Sequence, residues 1–268
     1  MKLLIWEDGF KKLVGLNQED VTDRWTLHSA VELQVTLANV TIKLEQQPHA
    51  LNATRMGVGA CVWEGELFLA AYLAHLPTHR YIGQRVIELG AGPGLAGILL
   101  AKLGARALVS DIKKVLPLVE RNLEINDVSL SQKRGAVSGM AEAIELEWGA
   151  PGYRERVDLI VSEPVDWILA ADCCYIDNEG TSPSTRHFIW TCHRLFSSPT
   201  TRCLVSFELR SQQIKETFLE ESNKAFDHVR RVQPKDLPRS CQQAHHIELY
   251  ELSGPKTGYV LCDGENLS

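Results

Sequence analysis

The sequence predicts an α/β fold: a Rossmann-like, seven-stranded sheet with helices on both faces and an N-terminal β-hairpin extension. Three observations predict it. Strand-like and helix-like segments alternate from Arg85 onward, the pattern that builds a parallel sheet covered by helices. Between them "RVIELGAGPGLAGILLAKLGARALVSD", Arg85 to Asp111, packs five glycines between an apolar run and an acid. Ahead of both, "VELQVTLANVTIKLEQQP" places apolar side chains at every second position on either side of Ala38-Asn39, which reads as a hairpin. At 268 residues the chain is long enough for one large α/β domain with a decorated terminus. The expected division is an extension over 1–50 and the main domain over 51–268.

The elements follow in order. "GVGACVWEGELFLAAYLAHLP" opens with glycines and then sets Leu67, Ala70, Ala71, Leu73 and Ala74 at helical spacing until Pro77 stops it, so a helix is led in by a loop carrying Trp63. "RVIEL", "GAGPG", "LAGILLAKLG" and "ALVSD" read as strand, turn, helix and strand, with Gly104 where a helix C-cap falls. "VLPLVERNLEIND" is a second amphipathic helix along Leu116, Val119 and Leu123, and Pro117 is tolerable in its first turn. "AIELEWG", "DWILAADCCY" and "RCLVSFELR" are further strands, and "STRHFIWTCHRLF" and "QIKETFLEESNKAF" are helices. "HHIELYEL" and "TGYVLC" are expected to close the sheet, with the last pair antiparallel. Ser129 to Ala141 and "GAPGYRERVDLIVSEP" read as surface connections, and of the similar "VDLIV" and "VDWIL" only one is a central strand.

Composition narrows the function. The net charge is -6 and no run of Lys and Arg exceeds the pair Arg230-Arg231, so duplex nucleic acid has no electrostatic footprint. No stretch approaches the roughly 20 apolar residues of a membrane span, and "MKLLIWEDGFKK" meets acid too soon for a secretory segment. The expectation is a cytoplasmic chain, with the nucleus a second compartment. Cys61, Cys173, Cys174, Cys192, Cys203, Cys241 and Cys262 are scattered, odd in number and without a CxxC, which predicts buried reduced thiols rather than disulfides or a metal site.

The glycine-rich turn carries the chemistry. A nucleotide-like ligand lies over the C-terminal ends of parallel strands, where only glycine lets the backbone come close, and Gly90, Gly92 and Gly94 are placed for that. Asp111, ending the next strand, can accept both hydroxyls of a ribose. The turn reads E-L-G-A-G-P-G rather than G-x-G-x-x-G, and it lacks the Lys and Ser/Thr of a P-loop. Glu88 ahead of it would repel a pyrophosphate and attract the α-ammonium of S-adenosylmethionine (SAM). A dinucleotide site and a purely structural turn are the weaker readings.

With these residues in view, the chain resembles the seven-β-strand, class I SAM-dependent protein-lysine methyltransferases, nearest to those that modify valosin-containing protein or heat-shock chaperones. "GVGACVW", "VIELGAGPGLAGILLAKLGA", "LEWG", "ILAADCCY" and "FELR" occur in that family's order, and "ADCCY" supplies its D-x-x-Y signature as Asp172 and Tyr175. The resemblance implies cofactor contacts at Trp63, Glu88, Gly90, Gly92, Asp111, Trp148 and Ala171, with SAM as cofactor and a chaperone-like or AAA ATPase protein as partner. It places Asp172 and Tyr175 at the methyl acceptor. Trp148 follows a strand and could stack on adenine, while Trp63 could close over the methionine end. Asp172 is suited to orienting a lysine nitrogen; its plain alternative is a helix N-cap. Glu208 and Arg210 either shape the substrate mouth or pair at the surface, and His245 and His246 read as surface histidines. "YRERVDLIVSEPV" departs from the family, which moves straight from "EWG" to D-x-x-Y. Two other functions compete with lysine methylation: methylation of a small molecule or nucleic acid, and a non-catalytic binding module.

Overall fold

The strands of the main sheet alternate their side chains between two buried faces, and this period of two sorts the core into two layers. Trp167 and Leu169 join one apolar cluster while Ile168 and Ala170 join the other. The computed structural model describes residues 2–7, 10–14, 24–51, 56–129, 139–175 and 183–261. In chain order the elements are β1 (Lys2–Glu7), β2 (Phe10–Val14), α1 (Arg24–Ser29), β3 (Glu32–Leu37), β4 (Val40–Glu45), α2 (Glu64–His75) and β5 (Arg85–Leu89). Then follow α3 (Leu95–Lys102), β6 (Arg106–Asp111), α4 (Leu116–Ile125), β7 (Met140–Glu145), α5 (Tyr153–Ile160), β8 (Trp167–Ala171) and α6 (Pro183–Arg194). The chain continues through β9 (Arg202–Glu208), α7 (Gln212–Ala225), β10 (Phe226–Arg231), α8 (Arg239–Gln242) and β11 (Ile247–Pro255).

The main sheet has the order β10-β11-β9-β8-β5-β6-β7. Five strands from β7 to β9 run parallel, and β11 is antiparallel to both β9 and β10. Helices α2, α3 and α4 cover one face and α5, α6 and α7 the other, so the predicted seven strands and two helical layers are present. The predicted hairpin is β3-β4, and Ala38 (φ 47) and Asn39 (φ 63) both adopt the left-handed backbone that a tight two-residue hairpin turn requires. It is half of a larger unit, since β1 and β2 extend it to a four-stranded sheet of order β2-β1-β3-β4.

Two sequence expectations are corrected. The sheet is closed by β10 and not by "TGYVLC": residues 256–261 form turns and irregular chain, and Cys262 lies outside the described residues. The segment 153–160 is the helix α5, and it buries Tyr153, Val157 and Ile160 at i, i+4 and i+7 against the core. "VDLIV" therefore falls in and just after a helix, and "VDWIL" is the central strand. Of the Ser129–Ala141 connection, residues 130–138 lie outside the described residues, and its two ends meet in a parallel bridge.

Candidate active site

A cavity of about 450 Å³ opens over the C-terminal ends of β5, β6 and β8. The chain runs from β5 outward through β6 to β7, then returns to β8 on the other side of β5 and continues to β9. That reversal is where an open α/β sheet leaves a crevice for a ligand. Of the nine residues singled out in the sequence, eight line the cavity: Trp63, Gly90, Gly92, Asp111, Trp148, Ala171, Asp172 and Tyr175.

The turn after β5 is held in a conformation that side chains oppose. Gly90 has φ +59, and a Cβ there would sit 2.9 Å from the Cys173 sulfur and 3.1 Å from Cη2 of Trp148. At Gly92 (φ +51) an added Cβ would sit 3.3 Å from the Gly59 carbonyl oxygen of the preceding loop. The Asp111 Oδ2 accepts from the Gly92 N–H at 2.7 Å and Oδ1 from the Ile112 N–H at 2.7 Å, so the acid is fastened to the turn it faces. Burial pushes its pKa up to about 6 against those two bonds.

Glu88 is the exception, and its predicted contact with the cofactor is corrected. It is not in the cavity wall; Oε1 accepts from the Ala96 N–H (3.3 Å) and Oε2 from the Gly97 N–H (2.7 Å), so it caps the first turn of α3. At Gly97 an added Cβ would meet Val109 Cγ2 at 2.6 Å and Glu88 Oε2 at 2.8 Å. Burial raises the Glu88 pKa to about 8. The carboxyl that does face the cavity from this side is Glu66 on α2, whose Oε1 accepts from the Leu95 N–H at 2.6 Å.

Asp172 follows β8 with φ 53, a backbone that non-glycine residues rarely adopt. Its Oδ2 accepts from the Gly65 N–H in the first turn of α2 (2.9 Å) and Oδ1 from the Glu208 N–H at the end of β9 (2.8 Å). The N-cap reading thus holds in part: Asp172 caps a helix, but α2 and not one of its own. Burial raises its pKa, opposed by the Glu208 N–H, the Arg210 charge and the Gly65 N–H. Tyr175 lies on the rim, 42% exposed. Nearby, the Arg210 guanidinium stacks 4.3 Å from the centre of the Trp63 ring and donates to Glu208 at 2.8 Å. Trp63 Nε1 donates to the Val58 carbonyl at 2.8 Å, which fixes the ring at the cavity edge. Arg210 therefore shapes the mouth. His246 lies 3.5 Å from Glu64 beside it.

The wall fits a cation-bearing nucleoside ligand. It presents Glu66, Asp111, Glu147 and Asp172 against Arg210, whose charge is tied to Glu208, so a pyrophosphate would meet repulsion. The indole Nε1 of Trp148 is buried without a hydrogen-bond partner among the described residues, an orphan donor beside the glycine turn. No group of His, Cys, Asp and Glu among the described residues is arranged to hold a metal ion. The six described cysteines are free and buried.

Residues 43–225 match the lysine methyltransferase family. The chain belongs to that family. Protein N-lysine methyltransferase METTL21A of Danio rerio is 36% identical over 193 residues, which are 72% of this chain and 78% of that protein. EEF1A lysine methyltransferase 3 of Xenopus tropicalis is 31% identical over 121 residues, 45% of this chain and 47% of that protein. In fold, the chain is similar to the 16S rRNA N2 G1207 methyltransferase of T. thermophilus, with a TM-score of 0.54, 15% identity and coverage of 83% of this chain and 50% of the other. That enzyme was solved with AdoMet and guanosine. This lysine methyltransferase is a SAM-dependent enzyme of the class I fold. The sequence does not single out Glu66 and leaves Arg210 open, although Glu66 stands three residues after Trp63 and lines the same cavity.

Proposed function

We propose that this lysine methyltransferase modifies a lysine on a protein of the chaperone or AAA ATPase kind, in the cytoplasm and also the nucleus. SAM supplies an electrophilic methyl on a sulfonium. The chain must then hold a lysine nitrogen, neutral and in line, about 3 Å from that methyl. Gly90, Gly92, Asp111, Trp63, Trp148 and Ala171 form the donor side of the cavity, with Asp111 facing the ribose and Trp148 the adenine.

Asp172 and Tyr175 form the acceptor side. The observation that carries this is that Asp172 lines the same cavity as Gly90 and Asp111 while its carboxylate is clamped between α2 and β9. A carboxylate so fixed has one lone pair per oxygen left to receive an N–H of the incoming lysine and to aim its nitrogen. It acts by position: both oxygens are already held by backbone N–H groups, which fix the carboxylate to aim the nitrogen. Tyr175 and the Arg210–Trp63 stack form the wall along which the lysine stem enters. The free, buried thiols suit a reducing compartment.

The test incubates the purified chain with labelled SAM and a cytosolic extract. Label is expected on lysines of a few proteins, and label confined to RNA or small molecules would sink the reading. Asp172→Asn is expected to lower transfer by about a hundredfold or more while SAM affinity is largely retained. Loss of SAM binding together with transfer would reduce Asp172 to a structural cap.

A further inference from the structure

Glu66 differs from the other buried carboxyls around the cavity floor. Asp111, Asp172 and Glu88 each have both oxygens engaged by backbone N–H groups. Glu66 accepts one hydrogen bond, from Leu95, and its second oxygen has no donor among the described residues. The side chain is 5% exposed and lines the cavity. The ionisable groups facing it are Glu88 on β5, Asp111 on β6 and Asp172 after β8, all carboxyls. Burial, then the repulsion of these three, holds its pKa well above the usual carboxylate range.

A buried carboxyl with one oxygen undonated and only acids around it stays protonated until a cation reaches it. Its position says which cation. Glu66 lies where the first residue of α3 leaves the glycine turn and one residue from the Gly65 N–H that holds Asp172. With adenine and ribose assigned to Trp148 and Asp111, the end of the ligand near Glu66 is the amino-acid end, which bears an ammonium. We propose that Glu66 receives the ammonium of the donor's amino-acid end and gives up its proton to solvent as the donor binds. This rests on the reading of the cavity as the donor site. It moves to α2 the role that the sequence suggested for Glu88.

The test is calorimetric titration of SAM into the full chain and into Glu66→Gln, each in two buffers of different ionisation enthalpy at about pH 7. The wild type is expected to release about one proton more than the variant on binding, and the variant to bind about tenfold or more weakly. Equal proton release and equal affinity would overturn the assignment while leaving the donor site in place. Failure of the wild type to bind SAM would instead overturn the donor site itself. Should Glu66→Gln not fold, Glu66→Asp is expected to keep proton release with weakened affinity, and Glu66→Asp without proton release overturns the assignment. The wild-type affinity for SAM is also expected to rise with pH, since the ligand selects the ionised form.

Discussion

At the scale of single residues, the site depends on positions where a side chain is forbidden as much as on those where one is required. Gly90 is the sharpest case, with positive φ and a projected Cβ 2.9 Å from the Cys173 sulfur, itself buried and donating to the Leu89 carbonyl at 3.1 Å. Gly90→Ala is therefore expected to cost about 1–3 kcal/mol of stability and to weaken SAM binding more than tenfold, checked by thermal melts and calorimetry. Unchanged SAM affinity would mean the turn tolerates the methyl. Gly90, Gly92 and Asp111 were legible because a close backbone approach and a ribose acceptor each demand one residue type. Glu88 misled because a sequence shows that an acid precedes the turn and not which way it points. The N–H groups of Ala96 and Gly97, left free at the start of α3, are nearer and take it. Glu66 was hidden for the complementary reason. An acid in the first turn of a helix is ordinarily a favourable dipole partner, and only the packing of α2 onto α3 turns it inward.

At the scale of elements, the accessory sheet is joined to the main domain by two asparagines on one face of α4. Asn126 accepts from the Lys43 N–H (3.0 Å) and donates to the Lys43 carbonyl (2.6 Å). One turn earlier Asn122 accepts from the Glu45 N–H (2.8 Å) and donates to the Glu45 carbonyl (3.1 Å) and to the carbonyl of Pro93 in the glycine turn (3.0 Å). Spaced by four on the helix and by two on the strand, they act as a further strand along the free edge of β4. Replacing both by Ala leaves buried backbone groups without partners and is expected to cost about 2–4 kcal/mol, read from denaturant unfolding. Because Asn122 also braces the turn, Asn122→Ala alone is expected to weaken SAM binding while Asn126→Ala does not. The sequence announced β3, β4 and α4 through clean periodicity, but not their joining, because amide side chains on a helix surface carry no sign of their partner. The sequence also reads α5 as a connection. The spacing of Tyr153, Val157 and Ile160 was present, but charged residues between them and two nearby glycines masked a short helix that depends on α6 for its burial.

At the scale of the whole molecule, the donor end of the sheet collects carboxyls whose folded-state pKa values are raised, and this sets how stability responds to pH. Glu88 rises from 4.5 to about 8 and Asp111 from 3.8 to about 6, in each case first through burial. In the unfolded chain both have lost their protons by about pH 5, whereas the folded chain keeps them. Between those limits the folded state binds more protons than the unfolded one, so the stability of the ligand-free protein falls as pH rises, through about 6 for Asp111 and about 8 for Glu88. Glu145, Glu220 and Glu251 have lowered values through Arg156, Lys224 and the pair Arg202 and Arg230, and they oppose this only in the acid range below their ordinary 4.5. The ligand-free chain is thus expected to melt at a higher temperature at about pH 5.5 than at about pH 8.5, whereas surface ion pairs, whose groups do not titrate between those values, would leave the melting temperature flat. Glu88→Gln, which cannot ionise, is expected to flatten the decline between about pH 6 and pH 8. An equal decline in wild type and variant would place the proton uptake elsewhere. Because a cationic donor compensates the charge that appears at high pH, the rise in melting temperature on adding SAM is expected to be larger at the alkaline end, and a rise that is the same at both ends would show that the ligand does not sense the charge of this acidic cluster.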